Sequence, residues 1–277
     1  MDKCGHAFST YNSAALVLKA LEWANFEVPL TNPNITHLTS GAAKWAGFTR
    51  KQSIIIGEVY GLLYLSTIEV LDGFSAGWGF SWGDELANIG GGLLFSSQQY
   101  YWKEQRLRLK FSYHPTTYAA DRPTILGSNA VESLIKDYNG QTYWLSVNPS
   151  SFLKKDSKFP KWLNISFGYG ATGMISGKGN QIIDYSTNTN PSGPNGNTIS
   201  FGPDGSQTSE IINKDGSIQT FTRYRLYYLS LDLDLTKIKT KSKLLKGVFN
   251  VFNCFKIPFP TVEWNRPHGF SFHALYF

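Results

Sequence analysis

The sequence predicts an α+β fold, in which an N-terminal helical bundle precedes an antiparallel β-sheet or a partial or complete β-barrel. The first observation is that apolar residues before Gln105 recur at helical spacing or in long runs. The second is that apolar and polar residues alternate after Gln105, as they do in half-buried strands. We therefore divide the chain into a helical region over residues 1–105 and a β-rich region over residues 106–277.

Four helices are predicted in the first region. They span residues 5–25, 35–48 and 51–72 and the segment that follows Phe80. The third is an almost continuous apolar run, but it is slightly short for a membrane span and carries Glu58 and Glu69. We therefore predict that residues 51–72 form a buried core helix.

The fourth helix carries two further signals. Ser81 and Asp84 have the spacing of a capping pair, which predicts that the helix begins there. The glycine triplet Gly90–Gly92 weakens a helix interior, by about 1 kcal/mol per glycine relative to alanine. Such a triplet predicts close approach of another backbone, or a break in the helix.

Alternation in the second region predicts five strands. They span residues 107–113, 142–148, 163–171, 227–235 and 269–277, with short helices over residues 129–138 and 243–253. Residues 186–217 are rich in Asn, Gly, Ser, Thr and Pro, which predicts a long exposed loop with room for a hairpin. The aromatic-rich strands and the terminal Phe277 also suit an outer-membrane barrel, although Phe277 is out of phase with the apolar residues of the last strand.

The composition favours a β-rich or membrane-proximal protein, because charged residues make up only 17% of the chain and aromatic residues 15%. The net charge of +6 favours an anionic partner such as lipid headgroups. No base-reading or stacking motif accompanies this charge, so nucleic acid is not predicted as a partner. Cys4 and Cys254 lie at opposite ends of the chain and are interpreted as two unrelated free thiols. No cofactor is predicted.

Three polar stripes interrupt the predicted helices. Acidic side chains in an apolar helix are costly unless they are paired, hydrated or used in chemistry. We interpret the stripes as a structural polar network, whose members are Asp2, Lys3, His6, Glu58, Glu69, Asp72, Ser81, Asp84 and Asn88. The alternatives are a site for a hard cation, or an acid–base site with the catalytic candidates His6, Glu69, Asp72 and Asp84.

No metal site is predicted, because no histidine pair has the spacing of zinc ligands. Neither a Gly-x-Ser-x-Gly elbow nor a phosphate-binding glycine loop occurs in the chain. Arg106, Arg108 and Lys110 form a basic face on the first predicted strand and are candidates for contact with an anion or a lipid phosphate. A solvated strand face and the lining of a barrel lumen are the alternatives for these three residues.

Several motifs resemble those of a known family. They are Asp2-Lys3-x-x-His6-Ala7, Glu69-x-x-Asp72-Gly73-Phe74-Ser75 and Ser81-Trp82-x-Asp84-x-x-x-Asn88-x-x-Gly91, together with residues 137–148 and 167–174. These segments resemble the YfiM-like predicted periplasmic lipoproteins, an uncharacterised family, in the longer version found in Bacteroidota. The order of the first motifs is also similar, more weakly, to VanZ-like membrane proteins. The resemblance implies a cell-envelope location and implies no activity.

These observations lead to one prediction and two alternatives for function. We predict a non-catalytic cell-envelope protein, periplasmic or outer-membrane-associated, that scaffolds or binds envelope proteins or anionic lipid headgroups. The alternatives are an envelope hydrolase or transferase that acts on lipid or glycan, and a small outer-membrane barrel with a helical plug. The chain opens without the basic and apolar segments of a signal peptide, and we expect that it is trimmed or truncated.

Overall fold

The computed structural model describes residues 1–26, 49–75, 79–154, 156–175, 182–184, 200–201, 207–212 and 216–277. Three long helices lie in its first part: α1 (Asp2–Phe26), α2 (Arg50–Gly73) and α3 (Trp82–Tyr101). They confirm three predicted helices, whereas the helix predicted over residues 35–48 lies outside the described residues. Thr49 caps α2 and Ser81 caps α3, each by accepting a hydrogen bond from the backbone amide three residues on. The predicted helix start at Ser81 is therefore confirmed.

Nine strands follow within the described residues, with four shorter helices among them. The strands are β1 (Leu107–Tyr113), β2 (Gln141–Val147), β3 (Leu163–Thr172), β4 (Ile182–Asp184), β5 (Ser200–Phe201), β6 (Gln207–Ile212), β7 (Ile218–Leu233), β8 (Phe259–Asn265) and β9 (Gly269–Tyr276). The helices are α4 (Tyr118–Asp121), α5 (Pro123–Leu126), α6 (Ala130–Lys136) and α7 (Lys243–Phe252). The α+β fold is thereby confirmed. Within the loop predicted over residues 186–217, the described strands β5 and β6 pair antiparallel, as in the hairpin for which that prediction left room, and β6 also pairs with β7.

The sheet is antiparallel along the order β1-β2-β3-β7-β8-β9. The start of β7 also pairs with β6, which in turn pairs with β4 and β5. The described sheet is open, with β1 and β9 at its two ends. The outer edge of β1 bonds to another segment, since the Phe111 amide donates to the Cys254 carbonyl and the Lys256 amide donates to the Phe111 carbonyl, both at 2.8 Å. The predictions of a complete barrel and of an outer-membrane barrel with a helical plug are therefore wrong.

The strands alternate as predicted, but their apolar side faces outward. Fully buried polar side chains line the inner face, among them Lys110, Ser146, Asn164, Ser166, Asp232 and Thr261. Large apolar side chains are exposed on the outer face, among them Leu145, Ile165, Phe167, Leu229 and Leu231. The inner face is therefore mainly polar, apart from the buried cluster of Trp144, Leu226, Tyr228 and Tyr276, and the outer face is apolar.

Helix α2 likewise buries mainly small and polar residues and exposes many apolar ones. The prediction that it is a buried core helix is wrong. Its buried residues are Ser53, Ile54, Gly57, Gly61, Leu65 and Glu69. Its apolar side is open, with Ile55 57% exposed, Leu63 64% exposed and Leu71 63% exposed. By length and composition, α2 is the one described helix that could cross a membrane. The physical reason is that small and polar residues of α2 make most of its contacts, so many of its apolar residues remain outside.

Helix α1 packs against α2 and α3 with backbones in contact. A Cβ added to Gly91 would lie 2.2 Å from the Ala7 carbonyl oxygen, and one added to Gly57 or Gly61 would meet the α1 backbone at 2.7 or 2.8 Å. The predicted close approach at the glycine triplet is confirmed, and α3 continues through it without a break. On its other side α1 contacts β1 and β2, so it joins the helical layer to the sheet.

Candidate functional site

The polar stripes meet where the start of α1, the end of α2 and the start of α3 come together. His6 Nε2 lies 3.1 Å from Glu69 Oε1, and His6 Nδ1 lies 3.1 Å from Asn88 Oδ1. Asn88 is fully buried, and its Oδ1 also accepts a hydrogen bond from the Thr10 hydroxyl at 3.2 Å. Because both partners of the imidazole are acceptors, both ring nitrogens are satisfied when the ring carries two protons. In that state the contact between His6 and the buried Glu69 carboxylate is an ion pair.

A second ion pair lies beside the first. Lys3 Nζ is 3.0 Å from Asp84 Oδ1, with the Asp84 side chain buried and the Lys3 side chain exposed. Ser81 connects the two pairs: its backbone amide donates to Glu69 Oε2 at 3.1 Å, and its hydroxyl accepts from the Asp84 amide at 3.3 Å. The α3 cap therefore belongs to the same network as the two ion pairs.

Two predicted members of the network lie apart from it. Glu58 and Glu69 share a helix face, but their separation of eleven positions corresponds to about 16 Å along the axis. The Glu58 side chain lies beside Gly92 instead. Asp72 is half-buried and makes no side-chain hydrogen bond or ion pair with a described residue. Asp2 lies at the exposed edge of the network, where it accepts a hydrogen bond from a tyrosine that follows α6.

The network offers one arrangement that could hold a cation. Asp2, His6 and Asp84 each provide one ligand atom, and these atoms lie within 4.8 Å of one another. The ammonium of Lys3 already neutralises Asp84 at this position, and both nitrogens of His6 have protein partners. This geometry favours a structural role, in which the network stabilises the packing of the three helices, rather than an open ligand site.

A structural role for the network predicts an effect on the stability of the fold. Replacing Glu69 by leucine leaves the His6 imidazole and the Ser81 amide without their acceptor, so we expect the free energy of unfolding to fall by about 2 kcal/mol. The matched control is Asp72→Asn on the same helix, which breaks no described contact and should change stability by less than about 0.5 kcal/mol. Chemical unfolding followed by circular dichroism measures both variants. Equal stability of the two variants would show that the network does not stabilise the packing of the helices.

A second polar cluster fills the inner face of the sheet, and the sequence predicted only its basic members. Lys110 Nζ lies 2.7 Å from Asp232 Oδ2, and both side chains are fully buried. Ser146 donates to the same carboxylate at 2.6 Å, and Arg108 pairs with Asp234 at 3.2 Å. The alternation of leucine with aspartate in β7 was the signal available for the acidic members, because it places Asp232 and Asp234 on one face.

The three basic residues proposed for lipid contact have different environments. Lys110 is fully buried, which removes it from the lipid-contact candidates. The Arg108 side chain is 18% exposed and lies at the wall of a cavity. Arg106 pairs with Glu104 at 3.1 Å and stacks over the Trp102 ring, with its guanidinium carbon 4.8 Å from the ring centre.

Two of the cavities in the described part of the structure are lined by charged or titratable side chains. The larger, of about 700 Å³, lies between α1, the start of α2, the end of α3 and α7, and basic side chains line it. The smaller, of about 490 Å³, contains His273 and Glu263, whose Nε2 and Oε2 atoms are 2.9 Å apart. His114 also lines it; burial lowers the pKa of His114, and its buried Nδ1 has no partner among the described residues. The residues of the helical network line neither cavity.

Comparison with known proteins leaves the chain without an assigned relative. No protein-family model, no curated protein and no solved structure matches it.

Proposed function

We propose that the protein is a non-catalytic cell-envelope protein, embedded in a membrane, with a binding or scaffolding role. The observation that carries this proposal is that large apolar side chains are exposed on both the helical layer and the sheet, while many of the buried side chains in both are polar. A soluble monomer rarely exposes apolar patches of more than a few hundred Å². In a bilayer the same distribution is favourable, because acyl chains solvate the outer side chains and polar groups are satisfied internally.

The dimensions of the helical layer support this proposal. Helix α2, the one described helix that could cross a membrane by length and composition, has 24 residues, which rise about 36 Å and exceed the roughly 30 Å of a bilayer hydrocarbon core. Exposed aromatic residues mark both ends of α3, which packs beside α2, with Phe80 and Trp82 at its start and Tyr100 and Tyr101 at its end. Tryptophan and tyrosine are enriched at the two membrane interfaces.

The contacts between helices also support it. Gly57 and Gly61 form a small-x-x-x-small pattern on α2 and meet the backbone of α1. Helices in membranes associate through such small residues, because lipid supplies no hydrophobic force between them. The location in the cell envelope rests on the resemblance of the Asp2–His6, Glu69–Ser75 and Ser81–Gly91 motifs to the YfiM-like family.

Membrane embedding is tested by extracting membranes of expressing cells with alkaline carbonate, followed by flotation of the purified protein with phosphatidylcholine vesicles. We expect the protein to stay in the membrane fraction and to float. Leu63→Lys places a charge on the outer face of α2, which costs about 3 kcal/mol within a bilayer and should reduce flotation strongly. Leu153→Lys, in an exposed loop rich in lysine, should float like the wild type. Complete extraction by carbonate, or equal flotation of both variants, would contradict the proposal.

An envelope hydrolase or transferase that acts on lipid or glycan is the second candidate. The observation that favours it is the convergence of His6, Glu69 and Asp84 in one cluster. Its test is incubation of the reconstituted protein with extracted envelope lipids and glycans, with products read by mass spectrometry. A product that His6→Asn abolishes and Asp72→Asn leaves unchanged would support this candidate, and no product from the wild type would remove it.

A further inference from the structure

We propose that the larger cavity binds the headgroup phosphate of an anionic phospholipid. This inference rests on the membrane location proposed above and names a ligand class for the binding role. The cavity volume of about 700 Å³ lies within the range of sites for small molecules. Its walls come from α1, the starts of α2 and β1, the end of α3 and α7, so it lies at one end of the helical layer.

The charges that line the cavity are strongly unbalanced. Seven basic side chains and two carboxylates line it, a formal excess of five positive charges. Both carboxylates are already paired: Glu22 contacts Lys19 at 2.7 Å and Arg50 at 2.9 Å, and Glu104 contacts Lys237 at 2.8 Å. Burial opposes ionisation of Glu104, but the hydrogen bond and charge of Lys237 outweigh it and lower the pKa of this carboxyl. Arg108 is paired with Asp234 at 3.2 Å, so four of the positive charges are left without a described counter-ion.

Three lysines carry this unbalanced charge. Lys103, Lys239 and Lys246 line the cavity, and none of them has an acidic partner among the described residues. All three are exposed, so an anion can reach them from outside. A phosphate oxygen is an acceptor that several ammonium groups can share, and charge-assisted hydrogen bonds of this kind are the strong ones.

Helix α7 identifies a lipid as the source of the phosphate. Its apolar residues are open, with Leu244 80% exposed, Val251 49% exposed and Phe252 54% exposed, and no residue of the helix is buried. Lys246, on the same helix, faces the cavity. A helix with an open apolar side and flanking lysines lies in a membrane interface, with its apolar side among acyl chains and its lysines at the phosphates.

The cavity also lies at the level of the lipid phosphates in the proposed membrane orientation. Tyr100, Tyr101 and Trp102 directly precede Lys103 and are exposed at the end of α3. Aromatic residues of this kind mark the headgroup level of a bilayer. The cavity, the aromatic residues and α7 therefore lie together at one predicted membrane surface.

The test compares two triple variants of the purified full chain in a neutral detergent. Native mass spectrometry titrates each protein with phosphatidylglycerol and with phosphatidylcholine. The first variant combines Lys103→Gln, Lys239→Gln and Lys246→Gln. The control combines Lys154→Gln, Lys158→Gln and Lys161→Gln, which removes the same charge from exposed lysines outside the cavity.

We expect the wild type to bind one phosphatidylglycerol at least tenfold more tightly than phosphatidylcholine. Each lysine near an anionic headgroup contributes about fivefold, so the first variant should lose about 100-fold in affinity. The control should stay within about threefold of the wild type. Equal losses in both variants, equal affinity for the two lipids, or full displacement by millimolar inorganic phosphate would overturn the proposal.

Failure of the membrane location gives a different result. The first variant retains the apolar exterior and should still float with phosphatidylcholine vesicles. If the wild type does not float, the proposed function fails. The ratio of the two lipid affinities in detergent still shows whether the cavity prefers an anionic headgroup. If the wild type floats and both triple variants bind alike, the lipid site alone fails.

Discussion

Lys110→Met should lower the free energy of unfolding by about 3–5 kcal/mol, the largest effect expected of a single substitution in this protein. Lys110 and Asp232 are both fully buried, 2.7 Å apart, on the inner face of the sheet. Removing the ammonium leaves the Asp232 carboxylate buried, with the Ser146 hydroxyl as its strong remaining donor. Asp234, two residues further along the chain, is already paired with Arg108 at 3.2 Å. Unfolding in detergent, followed by circular dichroism, measures the loss.

The matched control is Lys136→Met. Lys136 also contacts a carboxylate, Glu132 at 3.1 Å, but both side chains of this pair are exposed. An exposed pair one helical turn apart contributes about 0.3–0.5 kcal/mol, so the control should be nearly neutral. The double variant Lys110→Met/Asp232→Leu should recover most of the stability, because it removes both buried charges. Equal stabilities of the two single variants would show that the inner face is hydrated.

Gly91→Ala should destabilise the protein by about 3 kcal/mol, although alanine is the better helix former. The added methyl group would lie 2.2 Å from the Ala7 carbonyl oxygen and would force α1 away from α3. Displacement of α1 would also weaken the contacts of His6 and Lys3 with α3. Thermal unfolding in detergent measures the effect.

Gly90→Ala is the control for this prediction, since no atom lies within 4 Å of its added Cβ. It should stabilise the protein by about 0.5–1 kcal/mol through helix propensity alone. Stability changes of opposite sign at two neighbouring glycines of one helix would identify the backbone contact at Gly91 as the cause. Stabilisation by both substitutions would contradict the close packing of α1 on α3.

The local elements were accessible from the sequence because their signals are local. The helix start at Ser81 follows from cap spacing, and the strand over residues 107–113 follows from alternation. The direction of burial was not accessible in the same way. Alternation divides a strand into two faces but does not state which face is inside. Leucine and aspartate in β7 fit a soluble sheet and an inverted sheet equally well.

The membership of the helical network was only partly predictable for a similar reason. Helical periodicity places Glu58, Glu69 and Asp72 near one face of α2, but the partners are set by the heights at which α1 and α3 cross it. Glu69 meets His6, while Asp72 lies beyond the described ion pairs and hydrogen bonds. The basic cavity depends on α1, α3 and α7, which are far apart in sequence, so no local pattern indicated it.

The central claim is that the apolar outer face of the helical layer contacts lipid. It is tested most directly by a spin label at Leu63→Cys, in a background with Cys4→Ser and Cys254→Ser, reconstituted in phosphatidylcholine bilayers. A label at Lys158→Cys, in an exposed loop, is the reference for water contact. We predict that relaxation of the Leu63 label responds to oxygen and not to a water-soluble nickel chelate, while the reference label responds to the chelate. A Leu63 label as accessible to the chelate as the reference label would contradict the claim.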